Sequence, residues 1–340
     1  MSNFVVSIFI FGFLVFIHEF GHFIVARRVG ITVHEFSLGF GPRIASFVNK
    51  GTEFSIRLLP FFSYVRMAGE QGEEGEAKGS FLEKSVWQRM AVIGAGPLSF
   101  FVLAAVLFAG LFAFAGVGQP TTIIQEAVKG FPADVAGLRP GDKIVAMNGQ
   151  PVKDWDSVVR VIHDSPDRKV VFTIERDSKT MSLDVMSSRN PDDPTIGYVG
   201  VRPTVEMVRQ NPAAAVVSGI VQTGAVTVIW AKGLIMMISG KVEADLIGPV
   251  GIVQLIGQAS RYGLVSLISL AAAMAANLGA LNLLPIPALD GGKLLFLVVE
   301  AIRGKPIDPE KENMVHFIGF ALMIVLAVFI AYKDILRITS

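Results

Sequence analysis

The sequence predicts a polytopic α-helical membrane protein that carries one small α/β module outside the bilayer. Three observations lead there. Four stretches, at 4–25, 91–116, 264–284 and 314–332, are apolar over about the 20 residues that a crossing requires. Residues 121–203 change character and alternate short β-rich runs with turn signals. Ionisable residues stand inside or at the ends of apolar stretches, where they are costly and usually have a partner or a task. The bulk composition agrees. The 340 residues are 52% hydrophobic and 17% charged, which accommodates several spans and one soluble domain. A formal net charge of +1 gives no electrostatic reason to expect a nucleic-acid partner. There is no cysteine, so a metal site must be built from imidazoles and carboxylates.

The first segment, 1–30, has neither a basic leader nor a small-residue cleavage site, and is expected to stay as a span. Arg27 and Arg28 follow it, and Arg43, Lys50, Arg57, Arg66, Lys78, Lys84 and Arg89 precede the second. The positive-inside rule then puts the N-terminus outside and 26–90 in the cytoplasm. It follows that 117–263 is outside and that Arg303, Lys305 and Lys311 mark a cytoplasmic connection between the last two spans, with the C-terminus outside.

Within 31–90, Gly39-Phe40-Gly41-Pro42 separates two runs with strand character, Ile31–Phe36 and Phe54–Leu59. Phe54, Ile56, Leu58, Leu59, Phe61 and Phe62 are too apolar for an ordinary loop. Backbone at membrane depth must be hydrogen-bonded, so the expectation is a membrane-associated β-hairpin, re-entrant on the cytoplasmic side, lining a cavity. The second span, 91–116, follows.

In 121–203 the expected strands are Thr122–Val128, Lys143–Asn148, Lys169–Arg176, Met181–Met186 and Ile196–Val201, with helices at Pro132–Gly137 and Trp155–Asp164. Pro140-Gly141-Asp142, Asn148-Gly149 and Asp177-Ser178 supply the turns. The run from Gly130 to Gly149 resembles a PDZ domain. In 204–263, hydropathy alone would accept a further span at 212–239, interrupted only by Gln222 and Lys232. A span there would invert everything after it and put Asp290 on the opposite side from His22, which conflicts with the reading that the two share one metal. The segment is therefore expected to be helical and interfacial. The third span is assigned to 264–301 and the fourth to 314–334.

The chemistry is concentrated in two places. His18-Glu19-Phe20-Gly21-His22 lies within the first span. Imidazoles four residues apart share one helix face and can chelate one ion, with the intervening glutamate beside it as a base. A catalytic zinc takes three protein ligands and keeps one position open. His34-Glu35 lacks a second histidine at position 38, His163 falls in the soluble module, His316 has no companion, and Glu300 sits beside Arg303 and Lys305. Asp290 differs. It ends Asn282-Leu-Leu-Pro285-Ile-Pro287-Ala-Leu-Asp290 and precedes Gly291-Gly292. The prolines forbid continuous helix and the glycines permit unusual backbone, which suits a ligand at membrane depth. Asn282 could simply hydrogen-bond a neighbouring span.

These motifs resemble the bacterial site-2 proteases, intramembrane zinc metalloproteases that include the envelope-stress enzymes cleaving anti-sigma factors. The resemblance extends over Ala95-Gly96-Pro97, the Gly-Phe-Gly-Pro element, the PDZ-like module and Gly248-Pro249. It implies that His18, His22 and Asp290 bind Zn2+, that Glu19 is the catalytic base, and that Asn282 contacts the substrate backbone or reacting carbonyl. It also implies a bacterial inner membrane location, an extracytoplasmic PDZ domain, and substrates that are transmembrane segments of single-pass proteins. One departure is Phe100, where the family usually has asparagine. Two other readings use the same residues: a non-catalytic PDZ adaptor with a vestigial histidine cluster, and a metal transporter. Zinc content separates the first from an enzyme; the second lacks the repeated halves common in transporters.

Overall fold

The structure, a computed structural model, describes residues 3–70, 79–191, 193–242 and 247–339. Two compact units are present: Met1–Ala113 with Asn211–Ser340, and Phe114–Gln210.

The first unit opens with helix α1 (Asn3–Arg28). It is apolar on all sides, as expected of a buried or lipid-facing helix, and Arg27 and Arg28 complement the dipole at its last turn. The expected hairpin is larger than its sequence signals: β1 (Val33–Asn49) and β2 (Thr52–Met67) together make a curled sheet. Gly39 and Gly41 have φ of +95° and +88°, and the chain bends there, so β1 meets β2 twice. Residues 35–38 pair with 53–56 on one side and with 63–66 on the other. Within this sheet Glu35 accepts from Ser55 Oγ at 2.7 Å and from Arg57 at 2.8 Å, and Arg57 also donates to the Gly41 carbonyl. Phe40, Ile44, Phe47, Val48, Ile56 and Leu58 stay exposed. The side chains of Phe61 and Phe62 lie outside the described residues. Helix α2 (Val86–Phe114) follows, starting five residues before the expected span.

The second unit holds β3 (Val117–Ala127), α3 (Pro132–Val135), β4 (Lys143–Met147), β5 (Gln150–Pro151), α4 (Trp155–His163), β6 (Lys169–Arg176), β7 (Lys179–Met186), β8 (Ser188–Arg189), β9 (Gly197–Tyr198) and β10 (Val201–Val208). Its main sheet runs β10-β3-β4-β6-β7, antiparallel throughout, with β5 against β4. Asn148 and Gly149, both at positive φ, close the β4–β5 turn as the sequence requires. Phe172, Ile144, Ile174, Met147 and Val158 form the core. Burial alone would raise the Asp142 pKa. Arg176, held through two contacts of 2.7 Å, instead keeps this carboxylate below its usual range. The unit is longer than 121–203. Val208 pairs with Val117, so β3 starts earlier and β10 ends later than the sequence signals suggest. Pro120 and Pro203 conceal this pairing, because proline reads as a strand breaker yet is tolerated in an edge strand such as β10 or at a bulge.

The chain then returns to the first unit with α5 (Pro212–Ile238), α6 (Pro249–Tyr262), α7 (Leu264–Asn282), α8 (Asp290–Arg303) and α9 (Pro309–Thr339). Five helices among the described residues are long and apolar enough to cross a membrane: those at the four expected spans, and α5, which hydropathy in the sequence also admitted. Gln222 and Lys232 do not interrupt it, because both have good helix propensity and both point outward. Asn211 caps it, accepting from Ala214 N at 2.9 Å. As the prolines require, the segment 264–301 is two helices, broken between Asn282 and Asp290 around Pro285 and Pro287, which cannot donate to a helical ladder.

Candidate metal centre

Helix α1 carries His18 and His22 one turn apart on the side that meets α2. The approach of these helices is unusually close. A methyl group on Gly96 of α2 would overlap His22 Nε2 and His18 Cε1, and one on Gly21 would overlap the Ala95 carbonyl. The rings therefore rest against bare α2 backbone. His22 Nδ1 bonds to the Val92 carbonyl at 2.8 Å. Since a carbonyl only accepts, this bond assigns the proton to Nδ1 and turns the Nε2 lone pair inward. His18 has no such bond. Its ring lies 4.9 Å from that of Phe100, and its Nδ1 is buried without a hydrogen-bond partner among the described residues.

Asp290 arrives from the opposite side as the first residue of α8, aimed by the broken turn before it. Its Oδ2 lies 3.1 Å from His18 Nε2 and 3.5 Å from His22 Nε2, and the two Nε2 atoms are 3.2 Å apart. Asp290 Oδ2 is buried and receives no hydrogen bond among the described residues. The His22 Nε2 lone pair, the Asp290 carboxylate and His18 Nε2, a lone-pair donor in its Nδ1–H tautomer, thus converge on one point, an arrangement suited to a cation. Among the described residues this is the group of three able to share a metal ion.

Two cavities reach the centre. One, of about 500 Å³, is lined by Glu19, Tyr64, Glu70 and Lys293 together with His18, His22 and Asp290. The other, about 550 Å³, is almost wholly apolar and is lined by His18, Phe100, Leu278 and Asn282 among others. Asn282 therefore stands near His18, but its Nδ2 donates back to Leu278 O at 2.9 Å within its own helix. The remaining sequence candidates are elsewhere. His34 lines the polar cavity without joining the cluster, and Glu300 pairs with Arg89. His163 belongs to the second unit, and His316 bonds to Ala288 N.

A protein-family model described as peptidase family M50 matches residues 6–326. The chain belongs to peptidase family M50. Among its relatives are the zinc metalloprotease RasP of Geobacillus kaustophilus, 32% identical over 98% of each chain, and the regulator of sigma-W protease RasP of Bacillus subtilis, 33% identical over 99% of each. A solved PDZ domain of an SdrC-like protein from Listeria monocytogenes is similar over 26% of this chain and 90% of that one, with 17% identity and a TM-score of 0.23. This M50 peptidase is a zinc metalloprotease of the site-2 type.

The converging atoms fit zinc. Tetrahedral coordination at 2.0–2.2 Å sets neighbouring ligand atoms roughly 3.3–3.6 Å apart, and the observed separations run from 3.1 to 3.5 Å. Two imidazoles and one carboxylate are also a recognised catalytic zinc set that leaves a position open. Sequence reasoning did not reach the Val92 carbonyl, the close packing at Gly96, or the pair of Lys293 Nζ with Glu70 Oε1 at 2.7 Å beside the site. The first two are backbone features of another helix and carry no side-chain signature. Lys293, three residues after Asp290 and so on the same helix face, could have been found by periodicity.

Proposed function

We propose that this M50 peptidase hydrolyses peptide bonds within transmembrane segments of single-pass membrane proteins. Already-clipped anti-sigma factors are the first class to test. The convergence of His18, His22 and Asp290 within an apolar helical unit supports this most directly. His18 Nε2, His22 Nε2 and Asp290 Oδ2 hold the zinc. Bound there, zinc supplies a Lewis acid for the scissile carbonyl and lowers the pKa of a coordinated water toward ~7. Glu19, lining the same cavity, takes the proton of the attacking water and delivers it to the leaving amine. Asn282 contacts the substrate backbone once its amide leaves Leu278 O.

A transmembrane helix hides its carbonyls in its own hydrogen bonds, so the substrate must unwind before attack. The β2 segment 63–66 pairs along one edge only among the described residues, and Tyr64 to Met67 line the metal cavity. An extended substrate added to that edge recovers the backbone hydrogen bonds it gave up. The exposed apolar face of the same sheet supports a place for it at membrane depth. In this reading 1–30, 91–116, 264–301 and 314–334 contribute crossing helices, 31–90 the cytoplasmic-side sheet, and 204–263 the outer-interface helices. The unit at 121–203 is an extracytoplasmic PDZ domain that admits substrates with trimmed tails. The membrane is the bacterial plasma membrane. The name of the Bacillus subtilis relative, regulator of sigma-W protease, supports the anti-sigma class.

The deciding experiment reconstitutes the full chain with single-pass substrates whose extracytoplasmic tails have been shortened. Wild-type protein is expected to cleave within the span and to stop when zinc is chelated. Glu19→Gln should keep zinc and lose cleavage by roughly 10²–10⁴-fold. Normal turnover in that variant defeats the mechanism.

A further inference from the structure

His316 belongs to none of the machinery described so far. It lies in α9, between the charged first turn of that helix and its long apolar stretch, and its Nδ1 accepts the Ala288 N–H at 2.9 Å. The acceptor must carry a lone pair, so the ring proton is on Nε2, which is buried without a partner among the described residues. Packing alone does not call for a histidine here, since an apolar side chain would fill the same space without burying an unpaired N–H. What imidazole adds is an acceptor.

The group it holds is strained. Ala288 has φ of +78°, a left-handed conformation that costs a residue with a Cβ on the order of 1 kcal/mol or more. Ala288 stands two residues before Asp290, in the turn that starts α8. Pro287 in that turn sits directly on Gly319, where a Cβ would overlap the proline ring and its carbonyl. The His316 ring itself rests 5.6 Å from Phe296 of α8. One face of α9 therefore offers a flat seat for Pro287 and a fixed acceptor for the next residue.

We propose that His316 is a positioning residue for the metal centre: by accepting the Ala288 N–H it holds the turn in its left-handed form, so that the Asp290 carboxylate meets His18 and His22. The inference rests on the reading of Asp290 as a zinc ligand. Positioning of this kind typically changes metal affinity by 10–100-fold.

The test is competitive zinc titration of the purified full chain in detergent, with thermal unfolding of the metal-free protein measured alongside. Expected for His316→Leu is a roughly tenfold or greater loss of zinc affinity. His316→Asn, which places an amide oxygen near the position of Nδ1, should recover most of it. Ala288→Gly in the His316→Leu background should also recover affinity, because glycine enters the left-handed region without strain. Wild-type affinity in His316→Leu overturns the proposal, as does equal loss in the Leu and Asn variants. If His316→Leu fails to fold, comparison of His316→Asn with His316→Gln decides. Gln sets its oxygen one bond further out and should bind zinc more weakly, and equal affinity overturns the proposal. Asp290→Ala separates the two levels. If it retains zinc, the ligand reading falls and the positioning role falls with it. If it loses zinc while His316→Leu does not, only the positioning role fails.

Discussion

At position 96 there is room for a hydrogen and nothing larger, because the two imidazoles of α1 occupy the space a side chain would need. Helix propensity favours alanine there by about 1 kcal/mol, so Gly96→Ala would ordinarily stabilise a helix. Here it should displace the rings and lower zinc affinity at least tenfold, read by competitive titration, while leaving the helical circular dichroism intact. Unaltered affinity would mean that the rings have slack. The contrast with His18 and His22 shows what a sequence can disclose at this scale. The imidazole pair was legible because i,i+4 spacing on a helix fixes a shared face without reference to the rest of the fold. Asp290 was legible because prolines and glycines announced broken backbone around a carboxylate. Gly96 and the Val92 carbonyl were not. Their meaning depends on which helix packs against α1 and at what height, and that contact spans some 70 positions of chain.

Elements hold the residues of the candidate metal centre through their far ends as well as their near ones. α8 begins at Asp290 and ends close to Glu300, whose carboxylate takes two contacts from Arg89 at the start of α2. Both side chains are about nine-tenths buried. Removing one partner strands a buried charge, so Glu300→Ala is expected to lower stability by about 3–5 kcal/mol, whereas Arg89→Met with Glu300→Leu should regain most of that loss. Thermal unfolding in detergent measures both, and an additive double variant would show the pair to be uncoupled. Sequence reading set Glu300 beside Arg303 and Lys305, since neighbours in sequence are all it can see; its partner in the fold lies 211 residues away. The hairpin shows the same limit. Its two apolar runs were visible, yet the double pairing of residues 35–38 depends on a bend at Gly39 that period-two patterning cannot express. For α5 the length and hydropathy were visible in the sequence, whereas its placement at the interface rests on parity with the metal centre and not on the helix itself.

For the whole molecule, the separate small unit and the apolar helical unit imply a division of labour between choosing a substrate and cutting it. Deletion of 121–203 is expected to broaden the range of tail lengths that reconstituted protein accepts, while zinc content and cleavage of short-tailed substrates stay close to wild type. Retained discrimination against intact ectodomains would place the filter elsewhere. Cutting itself rests on one shared ion, and zinc-edge X-ray absorption of the full chain examines that ion directly. The account predicts one zinc per chain, two imidazole nitrogens and carboxylate oxygen at about 2.0–2.2 Å, and loss of that spectrum in Asp290→Ala. An unchanged spectrum in Asp290→Ala, or a shell containing a third imidazole, would contradict it.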